Sequence, residues 1–148
     1  KVLHQLKYNK KTKLAQHFGE MIGDLINSTE KYAYLIPVPL HPKKKRLRGF
    51  NQSTVIAKGM FKTTKIPILE KVIKRNQFNK SQTNFSKYDR WDNVRSIFSI
   101  VKPKLLENKH VILIDDVLTT GATIEACVKE LLKIEGCKVT IAVLAARI

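Results

Sequence analysis

A chain of 148 residues has the size of one domain and can bury about 68–70% of its unfolded surface. Its 43% apolar content excludes a disordered polymer, and no apolar run approaches the ~20 residues of a membrane helix. Lys and Arg total 28 against 12 acids, a formal +16 that favours polyanionic partners, nucleic acid or a phosphorylated substrate, although a solvated lysine surface gives the same balance.

Lys1 to Lys13 is basic and holds the pair Lys7-Tyr8. Leu14, Phe18, Met21, Ile22, Leu25 and Ile26 then recur at spacings of three and four, which predicts an amphipathic helix broken at Asn27-Ser28. Tyr32 to Leu40, YAYLIPVPL, predicts the first core strand. Pro37 and Pro39 cannot donate to a ladder, so pairing ends near them. His41-Pro42 leads into a basic loop, Lys43-Lys44-Lys45-Arg46-Leu47-Arg48, closed by Gly49-Phe50-Asn51-Gln52. Taken alone, the lysine run fits an anion-binding loop and a nucleic-acid patch equally well.

Val55, Ile56 and Met60 predict a second helix ending around Thr63-Thr64, and the loose alternation of Ile66 to Ile73 suits a strand. Asn76 to Asn93 has little apolar periodicity, and a loop of that length inside a compact domain is functional or mobile. Trp91 within it suits an anchor of the loop to the core better than a platform for a base. Ile97 to Val101 returns as a strand, and Pro103 opens a linker.

Val111 to Thr123, VILIDDVLTTGAT, organises the rest. Four apolar residues, Val111 to Ile114, suit a strand buried on both faces, and the acids Asp115 and Asp116 should mark its carboxyl end, where open α/β sheets bind ligands. Thr119, Thr120, Gly121, Ala122 and Thr123 follow, and Ile124, Cys127, Val128 and Leu131 describe one helical face reaching about Glu135 and stopping at Gly136. Backbone N–H groups at a helix start, with its dipole behind them, suit a phosphate. Two acids beside such a cradle suit a phosphorylated sugar. Neither G-x-x-x-x-G-K-[ST] nor G-x-G-x-x-G is present, which argues against P-loop and dinucleotide-binding proteins.

Val139 to Ala145 closes the pattern as another buried strand, so strands alternate with helices as in a parallel sheet with right-handed crossovers. Cys127 and Cys137 read as buried inert thiols. There is no C-x-x-C pair, and two cysteines fit a reducing cytoplasm. No signal peptide is evident, and a start at Lys1 suggests a trimmed chain.

Val111 to Thr123 closely resembles the 5-phosphoribosyl 1-pyrophosphate (PRPP) motif of type I phosphoribosyltransferases. PVPLHP followed by R-x-R-G-F-N-Q, with Q-T…R-x-x-N further on, resembles the ComF family of phosphoribosyltransferase-like proteins tied to bacterial competence and DNA uptake. The resemblance runs from Lys7 to Arg147. It implies an α/β fold of the type I phosphoribosyltransferase kind over 1–148, a mainly parallel sheet flanked by helices with a flexible loop over the active site. It further implies that Asp115 and Asp116 act as the catalytic acids, hold the ribose hydroxyls and carry Mg²⁺ together with bound PRPP, and that Thr119 to Thr123 grip the 5-phosphate. By the same likeness Leu40, His41, Lys43, Arg46 and Arg48 occupy the pyrophosphate loop, with Asn51 and Gln52 lining or bracing it. Gln82, Thr83, Arg90 and Asn93 belong to the loop that would close over substrate.

The implied activity is Mg²⁺-dependent displacement of pyrophosphate by a nitrogen nucleophile. Two alternatives stay open: a non-catalytic PRPP or nucleotide sensor, and an accessory that handles single-stranded DNA beside a competence ATPase. The family's paired-cysteine zinc module has no counterpart here, so no zinc site is assigned. The acceptor base is not legible. A cytoplasmic protein without membrane insertion is expected, and a homodimer stays open.

Overall fold

The computed structural model describes residues 12–26, 30–76 and 97–147. Its elements in chain order are α1 (Thr12–Leu25), β1 (Tyr34–Pro37), α2 (Pro42–Arg48), α3 (Gln52–Thr64), β2 (Ile73–Arg75) and β3 (Phe98–Ile100). A 3-10 turn, Pro103–Leu106, then leads into β4 (His110–Leu118), α4 (Ala122–Leu131) and β5 (Lys138–Ala146).

β4 is the centre of a parallel sheet of order β1-β4-β5. Its apolar run is buried on both faces because helices cover both. Val111 and Leu113 join the α4 side with Ile36, Val38, Ile124, Cys127 and Leu131. Ile112 and Ile114 join the α1 and α3 side with Leu35, Ala15, Ile56, Ala57 and Met60. This is the two-residue alternation of a strand, with both faces apolar as a covered parallel sheet requires.

Several sequence expectations are corrected. The basic loop 43–48 is the helix α2: His41 caps it, Pro42 opens it, and Gly49 closes it with φ 78°. Those are helix stop and start signals in a segment with no apolar face to announce it. The strand expected over 66–73 contracts to one parallel bridge, Leu35 with Ile68, and regular pairing begins only at Ile73. Leu35 N donates to Pro67 O and Leu69 N donates to Leu35 O, both at 2.9 Å, so this segment still flanks β1. The strand around 97–101 does not enter the parallel sheet; β3 pairs antiparallel with β2.

β4 also continues through its acids, since Asp115, Val117 and Leu118 keep register with Val143, Ala145 and Ala146 of β5. The acids mark the end of β1 beside the strand rather than the end of β4 itself. α4 stops at Leu131, short of Glu135, and turns carry the chain to Gly136 at φ 65°. β5 is half-buried rather than buried, with Ile141 47% exposed, because among the described residues it pairs with β4 alone. No helix is long and apolar enough to cross a membrane among the described residues.

Candidate functional site

The site begins where β1 gives out. Pro37 is the last β1 residue in register, opposite Ile114, and Val38 N makes a further 2.9 Å bond to Ile114 O. Past that point β4 has lost a neighbour on one side, and half-buried carboxylates become tolerable. Asp115 Oδ1 accepts from Asp116 N at 2.9 Å and from the Ser53 hydroxyl at 3.1 Å. Asp116 Oδ1 accepts from Val117 N at 2.9 Å. The acids thus close backbone donors of their own strand while staying half-exposed.

Thr119 to Thr123 carries the chain from β4 into α4. Gly121 is the N-cap of α4 at φ 78°, a left-handed conformation that glycine adopts without a Cβ penalty, and it supplies no side chain to close the first turn. Thr120 Oγ1 accepts from Ala122 N at 3.4 Å. Asp115, Val117, Leu118, Thr119 to Thr123 and Ile124 line one concave pocket over this turn. The structure therefore brings Asp115 together with the whole Thr/Gly loop, while Asp116 follows it on β4 outside that lining. Glu125, the acid of the first turn, points away into a 2.7 Å pair with Lys129, and that ammonium lowers its pKa. The helix end facing the pocket keeps its positive partial charge.

The exit of β1 lines a second, separate groove. Pro39, Leu40 and Pro42 form an apolar floor, and Lys45, Lys74, Arg75 and Asn76 complete the groove. Of the residues assigned to the pyrophosphate loop from sequence, Leu40 lines this groove. His41 is the N-cap of α2, its Nδ1 accepting from Lys43 N at 3.2 Å. Lys43 and Arg46 are exposed on α2, and Arg48 is half-buried. Lys45 stood within the basic run 43–48, whereas Lys74 and Arg75 were not singled out by sequence reasoning. A Lys-Arg pair ending a short apolar stretch, just before the long polar segment, was the available signal. Arg75 holds its guanidinium 5.4 Å from the Phe98 ring centroid, a cation–π contact that orients it.

Asn51 and Gln52 open α3. Asn51 caps the helix, accepting from Ser53 N at 3.2 Å, and its Nδ2 donates to Val38 O at 2.9 Å. Gln52 and Ser53 are 2% and 3% exposed, the two buried polar residues among the described ones. Gln82, Thr83, Arg90 and Asn93, with Trp91, lie outside the described residues.

Cys127 sits behind the site in the α4 core. Burial first, and the negative charge of Asp115 second, push its thiol up to about 12, against a smaller opposing pull from Arg75. Cys137 is also buried, and burial raises its thiol as well.

Residues 49–148 match the family described as phosphoribosyl transferase domain. Competence protein F of Haemophilus influenzae is 34% identical over 101 residues, covering 68% of this chain and 44% of that protein. Competence protein ComFC of Bacillus subtilis is 33% identical over 104 residues, covering 70% of this chain and 40% of that protein. The chain therefore spans less than half the length of either relative. Among solved structures, glutamine PRPP amidotransferase from B. subtilis, complexed with ADP and GMP, superposes with a TM-score of 0.67. It is 20% identical, covering 95% of this chain and 30% of that one, and the likeness is one of fold. With its parallel sheet, flanking helices and loop after β4, this chain belongs to the phosphoribosyl transferase domain family and, within it, to the ComF family.

Proposed function

We propose that this domain binds PRPP at the end of β4 and acts as a phosphoribosyltransferase-type component of bacterial DNA uptake. The observation that carries the reading is the pocket that joins Asp115 to the Thr119–Thr123 turn at the positive end of α4. The 5-phosphate would sit on that turn. A ribose ring seated across the strand would offer its hydroxyls to Asp115 on one side and Asp116 on the other. The pyrophosphate would then extend toward the groove that holds Lys45, Lys74 and Arg75.

The reaction is displacement of pyrophosphate from C1 by a nitrogen nucleophile, through a transition state with positive charge on the sugar and growing negative charge on the leaving group. Fixed cations at the groove stabilise that leaving charge, and the two carboxylates hold the sugar that becomes electron-poor.

The residues fit Mg²⁺ of one kind. Among the described residues no three His, Cys, Asp or Glu gather to cage a metal. Mg²⁺ is characteristically held by one or two carboxylates with the rest of its shell from substrate phosphates and water, which Asp115 and Asp116 can supply. Held there, Mg²⁺ would supply positive charge against the pyrophosphate.

A second reading has its own observation. α2 presents Lys43, Lys44, Lys45 and Arg46 on an exposed helix next to the site, a surface suited to a single-stranded nucleic acid backbone. Calorimetric titration of PRPP with Mg²⁺, beside ribose 5-phosphate and a short single-stranded DNA, tests both. Saturable, Mg²⁺-dependent PRPP binding is expected. Absence of PRPP binding, together with DNA binding that collapses as salt rises, would replace the first reading by the second.

A further inference from the structure

The hydrogen bond from Ser53 to Asp115 joins residues 62 positions apart and lies within a connected set. Asn51 Nδ2 holds Val38 O, the first residue past β1. Asn51 Oδ1 receives Ser53 N, fixing the first turn of α3. Ser53 Oγ then donates to Asp115 Oδ1 at 3.1 Å. By strand alternation Asp115 belongs with Val111 and Leu113 on the α4 side, whereas α3 covers the opposite side. The contact is feasible because β1 ends beside Ile114, so the start of α3 reaches over the strand end.

Ser53 is 3% exposed, so its hydroxyl is held in protein rather than shared with solvent. A hydroxyl bonded to a carboxylate makes a charge-assisted bond, stronger than a neutral one. Asp116 N, which donates to the same oxygen, is local to β4 and comes with the strand. Ser53 donates from a remote element, and it ties the carboxylate's orientation to the exit of β1.

We infer that Ser53 is a positioning residue: it sets the Asp115 carboxylate in the orientation that binds sugar hydroxyls, and Asn51 holds Ser53 in place. The inference rests on the proposed role of Asp115 in holding ribose. Ser53 itself touches no reacting atom. Sequence reasoning stopped one residue short of it, at Gln52.

The test is a double-substitution cycle read by PRPP affinity in Mg²⁺, with Ser53→Ala, Asp115→Ala, their combination and Ser53→Thr, each checked by thermal denaturation. Ser53→Ala is expected to weaken PRPP roughly tenfold in the native background. It should have little further effect beside Asp115→Ala, because its influence runs through the lost carboxylate. Ser53→Thr keeps the hydroxyl and should recover most of the affinity, which a purely structural role of the small side chain would not produce. Native-like affinity in Ser53→Ala, or an equal loss in both backgrounds, overturns the inference while the PRPP site stands. A native protein that binds no PRPP overturns the reading of the site and this inference with it.

Discussion

Gly59 of α3 lies directly against the Gln16 carbonyl of α1. A Cβ at Gly59 would overlap that oxygen, and one at Gly19 of α1 would overlap the Ile56 carbonyl of α3. The two helices cross backbone to backbone, and that close approach seats α3 on the sheet with Ile56, Ala57 and Met60 fully buried. Gly59→Ala should destabilise the domain by about 1–3 kcal/mol, the usual cost of overpacking. Urea denaturation measures it. An unchanged midpoint would mean that the helices are further apart than described. Because the first turn of α3 carries Asn51 and Ser53 at its start, the same substitution should also disturb the site.

His41 separates a structural from a chemical role. Its Nδ1 accepts from the Lys43 amide, so the ring caps α2 and does the work that Asn would do at an N-cap. His41→Ala should loosen α2 by about 0.5–2 kcal/mol, seen as faster amide exchange at Lys45 and Gly49. His41→Asn should restore that protection and retain whatever PRPP affinity the native protein has. A base could not be replaced in this way, so loss of turnover in His41→Asn with protection intact would move His41 into the chemistry.

Much of the fold was legible because burial leaves a pattern. Val111 to Ile114 is apolar at every position since helices cover both faces of β4, and the loop that follows carries its hydroxyls and glycine in plain sight. α1 and α3 were legible through their periodic apolar faces. α2 was not, for a physical reason. Its stability is local, resting on the His41 cap, Pro42 and Gly49, and a helix with no buried residue writes no periodicity. The end of β4 was misjudged because an acid was taken to terminate a strand, whereas β5 continues alongside and only β1 has ended. Ser53, Lys74 and Arg75 were missed because their partners are distant in sequence. Their value comes from the fold's placement of α3 and β2.

Cys127 provides a prediction in pH. Its folded pKa is raised to about 12 from the ordinary 9.0, so the native thiol stays protonated where an unfolded one ionises. A group raised in this way contributes its full stability below the unfolded pKa. The contribution declines as pH rises from about 9 toward 12, because the unfolded chain releases a proton that the native one retains. Native protein should resist a thiol reagent at pH 9 and label at Cys127 only on unfolding, and Cys127→Ala should flatten the alkaline fall in stability. Rapid labelling of folded protein at pH 9 would contradict the burial that raises this thiol.

Gln52 holds a donor without an outlet. Its Nε2 is buried and finds no hydrogen-bond partner among the described residues, in a side chain that is 2% exposed. A buried amide hydrogen left unmade costs about 1–3 kcal/mol, and Met fills a similar volume without the donor. Gln52→Met should therefore raise the melting temperature of ligand-free protein. A lowered one would show that the amide is satisfied, by bound water or by a ligand carried through purification.

The acids themselves give the sharpest expectation, because replacing them with Asn separates charge from shape. Asn at 115 keeps an oxygen that can accept from Ser53 and from the 116 amide, and Asn at 116 keeps one for Val117 N. The backbone arrangement should therefore survive either change, with melting temperatures close to native. What is lost is the negative charge that strengthens bonds to sugar hydroxyls and the oxygen donor for Mg²⁺. Each substitution should weaken PRPP roughly tenfold or more by calorimetry, with the larger effect at Asp115, which shares the pocket with the phosphate turn. Native affinity in both variants would remove the acids from sugar binding. An effect at Asp116 alone would place the ribose on the other side of β4.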